Sequence, residues 1–310
     1  MLTARWVLAI LLAAVMVALA AGAREMSMGK SKVKIGDSGE MEFKRTMANG
    51  SVDAHPVKIK MDELVQVDAN GNALTDCQEP TDTTKPGMSW MNNPAKKAAM
   101  KGEMKAFRDF NNQQFAFESK LTDQAMKHGG SMKAEKQKFS ASLGDGIGKM
   151  TIDLALPEED GDIDIAGEKQ RLKKGDMKFN IEMSEWNWCD NAAFLDVYMK
   201  VQGKNKPKKR FDRSSTLPAS YDMGDNKTVS FSGKFQKDAG DWTDMAAGYP
   251  KVDPNDDSRV IVRFPRFTDT LIYDPTVSGD EDDDSSDASG LSVSAILITM
   301  ATAATYVMLK

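Results

Sequence analysis

The 310-residue sequence is poor in the side chains that carry most enzyme chemistry: it has two histidines, two cysteines and 7% aromatic residues. His55 precedes a proline, His128 precedes a Gly-Gly pair, and neither belongs to a serine hydrolase motif. The sequence also lacks a Gly-rich dinucleotide fingerprint, a P-loop and an H-E-x-x-H zinc motif. We therefore expect a protein that is not an enzyme and has no tightly bound cofactor.

The positions of the two cysteines do not fit the usual metal-binding motifs. Neither Cys77 nor Cys189 lies in a C-x-x-C pair or a Cys/His cluster, which argues against a zinc site. In an oxidising compartment, two cysteines predict a single Cys77–Cys189 disulfide. Such a bond would close a loop of more than a hundred residues and contribute about 4–5 kcal/mol in the chain-entropy model. The alternative is two buried free thiols.

Long apolar runs occur at the two ends of the sequence. At the N-terminus, Arg5 is followed by apolar residues 6–20 and then by an A-x-A pattern, which predicts a cleaved signal peptide over residues 1–23. An uncleaved signal anchor is the alternative. With the signal removed, the protein is expected to be secreted or held at the cell surface.

The apolar C-terminal tail, residues 291–310, has two interpretations. It is long enough to span a bilayer, but serines and threonines dilute it and only Lys310 follows the apolar part. Small residues upstream favour a removable glycosylphosphatidylinositol (GPI) signal, with Ser286 as the preferred attachment site and Ser285 and Ser289 as rivals. A retained single transmembrane span is the other interpretation.

Negative charge is concentrated in one segment rather than spread over the chain. The formal net charge is -5, yet residues 24–279 contain 39 basic and 40 acidic residues. Six acids fall within residues 280–287, here called the acidic strip, which forms most of a Ser/Asp-rich stalk over residues 280–290. These six acids are Asp280, Glu281, Asp282, Asp283, Asp284 and Asp287.

Carboxylate oxygens suit Ca²⁺, but a run of like charges cannot form a preorganised cage. We therefore expect weak calcium binding by the acidic strip, at about the millimolar level of extracellular calcium modules. Such a strip would also adsorb to cationic surfaces, including mineral faces. The alternative is a solvated spacer that holds the domain away from the membrane. Nucleic acid is not expected as a partner.

Residues 24–279 are expected to form an all-β, antiparallel, sandwich-like ectodomain. Apolar and polar residues alternate within 57–61, 150–156, 177–183, 229–231 and 260–264, which is the period of a half-buried strand. Turn residues separate these runs at 70–71, 129–130, 144–146, 175–176 and 224–226. A short covering helix is expected over residues 93–107. Two sub-domains with a boundary near 140–175 are an alternative to one domain.

Several loops carry motifs for glycosylation or ion binding. The sequons at Asn49 and Asn226 predict N-glycosylation in turns. The loop that begins at Asp68 has oxygen ligands at alternating positions, but Ala73 stands where an EF-hand needs glycine, so we expect a hairpin turn.

The acidic loop 158–164 is expected to be solvated, with a loose calcium site as the alternative. The basic loop 204–210 is also expected to be a solvated hairpin loop, with an anionic-glycan patch or a protease site as the alternatives.

The end of the predicted domain carries a family resemblance. The run Val260-Ile-Val-Arg-Phe-Pro-Arg-Phe267, the run Leu271-Ile-Tyr-Asp-Pro275 and the segment 181–189 precede an acidic run. In this arrangement the chain resembles the acidic, aspartate-rich skeletal organic matrix proteins of corals. Within these runs we expect Pro265 to end a strand, Phe264 and Phe267 to anchor the core, and Trp186 and Trp188 to share one strand face with Cys189 opposite.

The resemblance implies secretion, association with a calcium carbonate skeleton, and calcium binding through acidic tracts. Only the six acids of the acidic strip can inherit that role, and the strip is shorter than the long Asp runs of the family. The expected partners are calcium ions or a carbonate mineral surface, the membrane through the C-terminus, and other matrix proteins or glycans. The alternative function is a GPI-anchored adhesion or receptor-like domain that binds a protein or glycan.

Overall fold

The computed structural model describes residues 24–46, 50–51, 53–74, 113–126, 132–143, 147–165, 168–189, 191–207 and 219–279. These residues form strands, turns and irregular connections, and no helix occurs among them. The expected helix over residues 93–107 lies outside the described residues, as do residues 1–23 and the tail after Gly279. Nothing in the described segments is a helix long and apolar enough to cross a membrane.

Twenty strands follow one another along the described chain. They are β1 (Arg24–Met28), β2 (Ser31–Ile35), β3 (Met41–Arg45), β4 (Val57–Val67), β5 (Ala116–Phe117), β6 (Leu121–Ala125), β7 (Lys133–Leu143), β8 (Gly148–Pro157), β9 (Gly161–Ile165), β10 (Glu168–Leu172), β11 (Met177–Ser184), β12 (Phe194–Gln202), β13 (Ala219–Gly224), β14 (Lys227–Phe231), β15 (Lys234–Lys237), β16 (Trp242–Asp244), β17 (Lys251–Asp253), β18 (Asp256–Pro265), β19 (Thr270–Tyr273) and β20 (Thr276–Gly279).

The period-two pattern of the sequence is expressed directly in these strands. In β2, Ser31, Val33 and Ile35 are buried while the two intervening lysines are exposed. In β4, Val57, Ile59 and Met61 are buried in the same alternating way. All five runs expected to be strands lie within strands, namely β4, β8, β11, β14 and β18. The prediction of an antiparallel all-β fold is therefore confirmed.

The first sheet has seven antiparallel strands in the order β1-β2-β3-β4-β12-β18-β17. Its first four strands follow the chain as a meander, because short turns connect β1 to β2 and β2 to β3. The sheet is completed by β12 and β18, which are distant in sequence, and β12 pairs with β4 and β18 at its two edges.

The second sheet has eleven strands, and β11 lies in its middle. One edge of β11 pairs with β8, and β8 in turn pairs with β7. The other edge of β11 pairs with both β19 and β20, which lie end to end along it. A separate two-stranded ribbon is formed by β9 and β10.

The two sheets face each other across one large hydrophobic core. This core draws residues from Met26 to Val277, and it includes Phe43, Phe179 and Phe264 with 0–1% exposure. Strands from both sides of residues 140–175 take part in both the core and the sheets. A smaller cluster covers the opposite face of the larger sheet, where Ala155 of β8 packs with Ile163 of β9 and Leu172 of β10. The larger sheet is therefore buried on both faces in this region.

Phe264, Phe267 and Pro265 occupy the roles predicted for them. Phe264 and Phe267 are 1% and 2% exposed, and Pro265 is the last residue of β18. The prediction for the two nearby tryptophans is only half correct. Trp186 and Trp188 are buried, but they lie after the end of β11, because Glu185 has a left-handed φ of 55° that terminates the strand. Their segment is irregular and has no strand faces.

Three of the predicted turns are confirmed. Residues Asn70-Gly71, Gly175-Asp176 and 224–226 all lie at chain reversals, whereas 129–130 and 144–146 lie outside the described residues. Gly175 shows why glycine is needed, because its φ is +77° and an added Cβ would lie 2.7 Å from the backbone oxygen of Met28. The turn before β11 is thereby packed directly against the β1–β2 turn.

We expect Gly175→Ala to lower the free energy of unfolding by more than about 1 kcal/mol, because alanine adds both φ strain and a backbone clash. Gly248 supplies a matched control, since its φ is +86° but a Cβ added there would meet nothing within 4 Å. Gly248→Ala carries the φ strain alone and should cost less. Urea unfolding of both variants measures the difference, and equal losses would show that the contact with Met28 is unimportant.

Candidate ion-binding surface

Most residues predicted to be functional lie outside the described residues. These are the six acids of the acidic strip, Ser286, Cys77 and Asn49. The described chain ends at Gly279, which is the residue immediately before the strip. Asn226, Cys189 and the loops after Asp68 and Glu158 lie within the described residues.

Asn226 lies at a tight hairpin turn between β13 and β14. Asp225 and Asn226 have φ values of 51° and 56°, which is the pattern of a type I′ turn. Asn226 is exposed, whereas Lys227 next to it is buried. A glycan on Asn226 would therefore project from a hairpin tip, and glycosylation at this site stays a prediction.

Cys189 is 4% exposed, and its backbone N–H donates to Oε1 of Gln66 at 2.8 Å. This contact fixes the segment after the tryptophans against β4 of the seven-stranded sheet. The described part of the chain contains no free cysteine. Because Cys77 lies outside that part, the Cys77–Cys189 disulfide stays a prediction.

The loop after Asp68 is a hairpin turn, as predicted, and its geometry leaves little for a metal ion. Oδ1 of Asp68 accepts hydrogen bonds from the backbone N–H groups of Asn70 and Asn72, both at 2.8 Å, and Oδ2 accepts one from the Asn72 side chain at 3.0 Å. The bonds from Asn72 and Asn70 lower the pKa of Asp68. The carboxylate is thus used to close its own turn.

The acidic loop after β8 separates its carboxylates rather than gathering them. Glu158 accepts a hydrogen bond from the backbone N–H of Asp123, Asp160 accepts one from that of Lys174, and Asp162 lies 3.7 Å from Arg171. Across the described ranges, no group of three or more metal-ligating side chains converges on one point. A calcium site in this loop therefore has no support from its geometry.

The outer surface of the seven-stranded sheet, here called the charged face, carries charges on successive strands. Lys32 lies opposite Lys44, Lys60 lies opposite Lys200, and Lys200 also lies opposite Arg259. Like charges that are directly opposed across strands destabilise a sheet. Carboxylates offset part of this cost, since Glu25 pairs with Lys32 at 2.8 Å and Glu42 lies 3.4 Å from Lys58.

Arg259 is the centre of the most acidic part of the charged face. Its guanidinium lies 2.5 Å from Asp253, 3.3 Å from both Asp62 and Glu63, and 3.7 Å from Asp256. The guanidinium carbon also lies 5.0 Å from the centre of the Tyr198 ring. The four carboxylates therefore surround a resident cation, which fills the position that a metal ion would need.

The end of β20 is held firmly at the point where the acidic strip begins. The backbone N–H of Gly279 donates to Oδ1 of Asp176 at 3.2 Å, and Oδ2 of Asp176 accepts from the backbone N–H of Lys173 at 2.8 Å. An added Cβ at Gly279 would lie 2.6 Å from a guanidinium nitrogen of Arg45. Gly279, the last described residue, thus lies beside a buried carboxylate and an arginine.

Burial raises the pKa of Asp176 to about 6, although hydrogen bonds from Lys173 and Gly279 act in the opposite direction. Because the folded-state value exceeds the usual 3.8, the folded protein binds the proton more tightly than the unfolded chain does. The free energy of unfolding should therefore rise by about 2 kcal/mol as the pH falls from 6 to 4, relative to a chain that lacks this group.

The variant Asp176→Asn should lose this dependence. Urea unfolding at pH 4, 5, 6 and 7 measures it, with the difference between wild type and variant as the observable. The wild type should gain stability relative to the variant as the pH falls through this window. Parallel curves for the two proteins would contradict the role of Asp176.

The sequence model of the acidic skeletal organic matrix protein family matches residues 91–214 and 200–309, which together make up more than half of the chain. The chain belongs to this family. The membership confirms the resemblance found in the sequence, and the second match includes the acidic strip.

Sequence reasoning missed two buried ion pairs. Lys178 lies 3.2 Å from Asp274, with side-chain exposures of 2% and 0%, and Lys227 contacts Asp53, with exposures of 2% and 1%. By simple alternation Lys178 stands on the outward side of β11, next to Met177 and Phe179. Its burial could not be predicted because β11 is buried on both faces, which the local sequence pattern does not show.

Proposed function

We propose that the mature protein is a non-enzymatic component of the organic matrix of a calcium carbonate skeleton, and that its acidic strip contacts calcium ions or the mineral surface. The observation that carries the proposal is membership of the acidic skeletal organic matrix protein family. Six carboxylates within eight residues supply the ligand type that Ca²⁺ prefers.

Several carboxylates of the folded domain are already engaged in contacts within the fold, which supports this role for the acidic strip. Asp68 closes a turn, the acids of the 158–164 loop are spread apart, and the four acids near Arg259 surround a guanidinium. None of these groups of described residues offers calcium a prearranged site, and ion contact through the acidic strip is consistent with that.

The charged face gives the sandwich a second means of contact with an ionic surface. Its opposed lysines stand on neighbouring strands, which lie about 4.8 Å apart in a sheet. Cations on neighbouring strands suit the carbonate anions of a mineral face, while the carboxylates of the acidic strip suit the calcium ions. Contact of both kinds would raise the overall avidity without requiring either to be strong alone.

We also propose that Ser286 carries a GPI anchor, which would place the acidic strip within a few residues of the membrane. The short run of small residues and the apolar end of the sequence support this proposal. Attachment of the protein to a calcifying cell surface by this anchor is compatible with its later release into the matrix.

Detection of the protein in two fractions tests the proposed function. An antibody against residues 24–279 should find it in the extract of a cleaned and demineralised skeleton. Treatment of intact cells with a phosphatidylinositol-specific phospholipase should release the cell-bound fraction. Absence from the skeletal extract, combined with release from cells, would favour the adhesion or receptor-like alternative instead.

A further inference from the structure

Lys227 and Asp53 form a buried contact between parts of the chain that are 174 residues apart. Lys227 is the first residue of β14 in the larger sheet, and Asp53 lies in the connection between β3 and β4 of the seven-stranded sheet. Their side chains are 2% and 1% exposed. The contact thus joins the two layers of the sandwich where water is excluded.

The backbone of His55 forms hydrogen bonds with both side chains of this pair. Nζ of Lys227 donates to Oδ2 of Asp53 and, at 2.8 Å, to the backbone oxygen of His55. Oδ1 of Asp53 accepts a hydrogen bond from the backbone N–H of His55 at 2.9 Å. The amine and the carboxyl group are therefore oriented towards each other by a single residue, and their positions do not depend on a flexible side chain.

An ion pair in such a place carries a desolvation cost for each charge. Transfer of one proton from Nζ to Oδ2 removes both charges and leaves a neutral amine beside a neutral carboxylic acid. These two groups are the reactants of amide formation. Reactive groups held in contact in a dry site have a large effective concentration, which favours a reaction that is negligible in water.

We propose that Lys227 and Asp53 become joined by an intramolecular isopeptide bond. The lone pair of the neutral Nζ attacks Cγ of Asp53, and the backbone N–H of His55 stabilises the negative charge that develops on Oδ1. A second proton moves from Nζ to Oδ2, the Cγ–Oδ2 bond breaks, and Oδ2 leaves as water. One amine and one carboxylic acid give one amide and one water, with no oxidation or reduction.

The hydrogen bonds of the site fit the product as well as the reactants. Oδ1 becomes the carbonyl oxygen of the amide and keeps the donor from His55. Nζ retains one hydrogen, which can still be donated to the backbone oxygen of His55. The product therefore buries no charge and leaves neither amide group without a hydrogen-bond partner. The bond would tie the two sheets together in a way that reduction cannot break.

Mass spectrometry of the full mature chain tests the proposal. The protein is purified in folded form, checked for a β-type circular dichroism spectrum, reduced and enzymatically deglycosylated, and its intact mass is measured. After removal of the C-terminal anchor, we expect a mass lower by one water than the remaining reduced sequence requires. Trypsin should fail to cleave after Lys227 and should yield a branched peptide that joins residues 53 and 227.

The variants Lys227→Arg and Asp53→Ala should both have the full mass, and this measurement does not require either variant to fold. The Lys178–Asp274 pair is an internal control, because it is equally buried but the acceptor nearest to the amine of Lys178 is Asn180, while Asp274 lies 3.2 Å away. A full mass for the wild type with a linear peptide ending at Lys227 would overturn the proposal. Loss of water mapped to Lys178 would overturn the assignment to Lys227.

Discussion

Replacing Trp188 with alanine is expected to lower the free energy of unfolding by about 3–5 kcal/mol, the usual cost of removing a buried aromatic side chain. The indole is 8% exposed and packs at 5.3 Å from the ring centre of Phe267 and at 6.1 Å from that of Trp186. Its Nε1–H also donates to the backbone oxygen of Phe267 at 2.9 Å. One side chain thus closes the end of β11 onto the segment that follows β18.

The variant Trp188→Phe separates packing from hydrogen bonding at this position. Phenylalanine keeps much of the apolar area but leaves the carbonyl of Phe267 without its donor, so a loss of about 1–3 kcal/mol is expected. Urea unfolding followed by far-ultraviolet circular dichroism gives both values. A loss below about 1 kcal/mol for the alanine variant would show that the aromatic cluster does not hold this end of the sandwich.

Removing Asp196 should cost about 3–5 kcal/mol, because it would leave the charge of Arg263 largely buried without its partner. Oδ1 and Oδ2 of Asp196 accept hydrogen bonds from Nε and Nη2 of Arg263, both at 2.6 Å. The side chains are 4% and 15% exposed. The hydrogen bond from Asp196 is the main reason why the pKa of Arg263 is raised.

A double-mutant cycle isolates this pair from its surroundings. Asp196→Ala and Arg263→Met are measured singly and together by urea unfolding. Arg263 also lies 4.7 Å from the ring centre of Tyr249 and 5.5 Å from that of Phe194, so its own loss includes packing. The double variant should be less destabilised than the sum of the single variants, by at least about 1.5 kcal/mol. Simple additivity would contradict a coupled ion pair.

The strands and turns could be predicted from sequence because both depend on local rules. Alternation in 177–183 identified β11, and the Asn-Gly pair after Asp68 identified a hairpin turn. The same alternation misplaced Trp186 and Trp188, because the strand ends at a left-handed residue that the pattern cannot show. Apolar alternation can continue in a segment that is no longer extended.

Features that depend on distant pairing could not be predicted. The contact of β4 with β12 joins segments separated by more than a hundred residues, and this pairing brings Lys60 opposite Lys200 on the charged face. The burial of Lys178 and Lys227 likewise depends on how layers are stacked. The acidic strip could be predicted because a run of acidic residues is visible in the amino-acid composition of a segment. That composition does not depend on how the chain folds.

Calcium titration of the mature protein tests the central claim most directly. Isothermal titration compares the wild type with a variant whose six strip acids are replaced by the corresponding amides. A control variant carries six amide replacements at exposed acids of the folded domain, namely Glu118, Glu159, Asp162, Asp241, Asp244 and Asp257. The wild type and the control should bind Ca²⁺ with a dissociation constant of about 1 mM, and the strip variant should lose this binding. Equal binding by the strip variant and the wild type would contradict the proposal that the acidic strip is the calcium-contacting part of the protein.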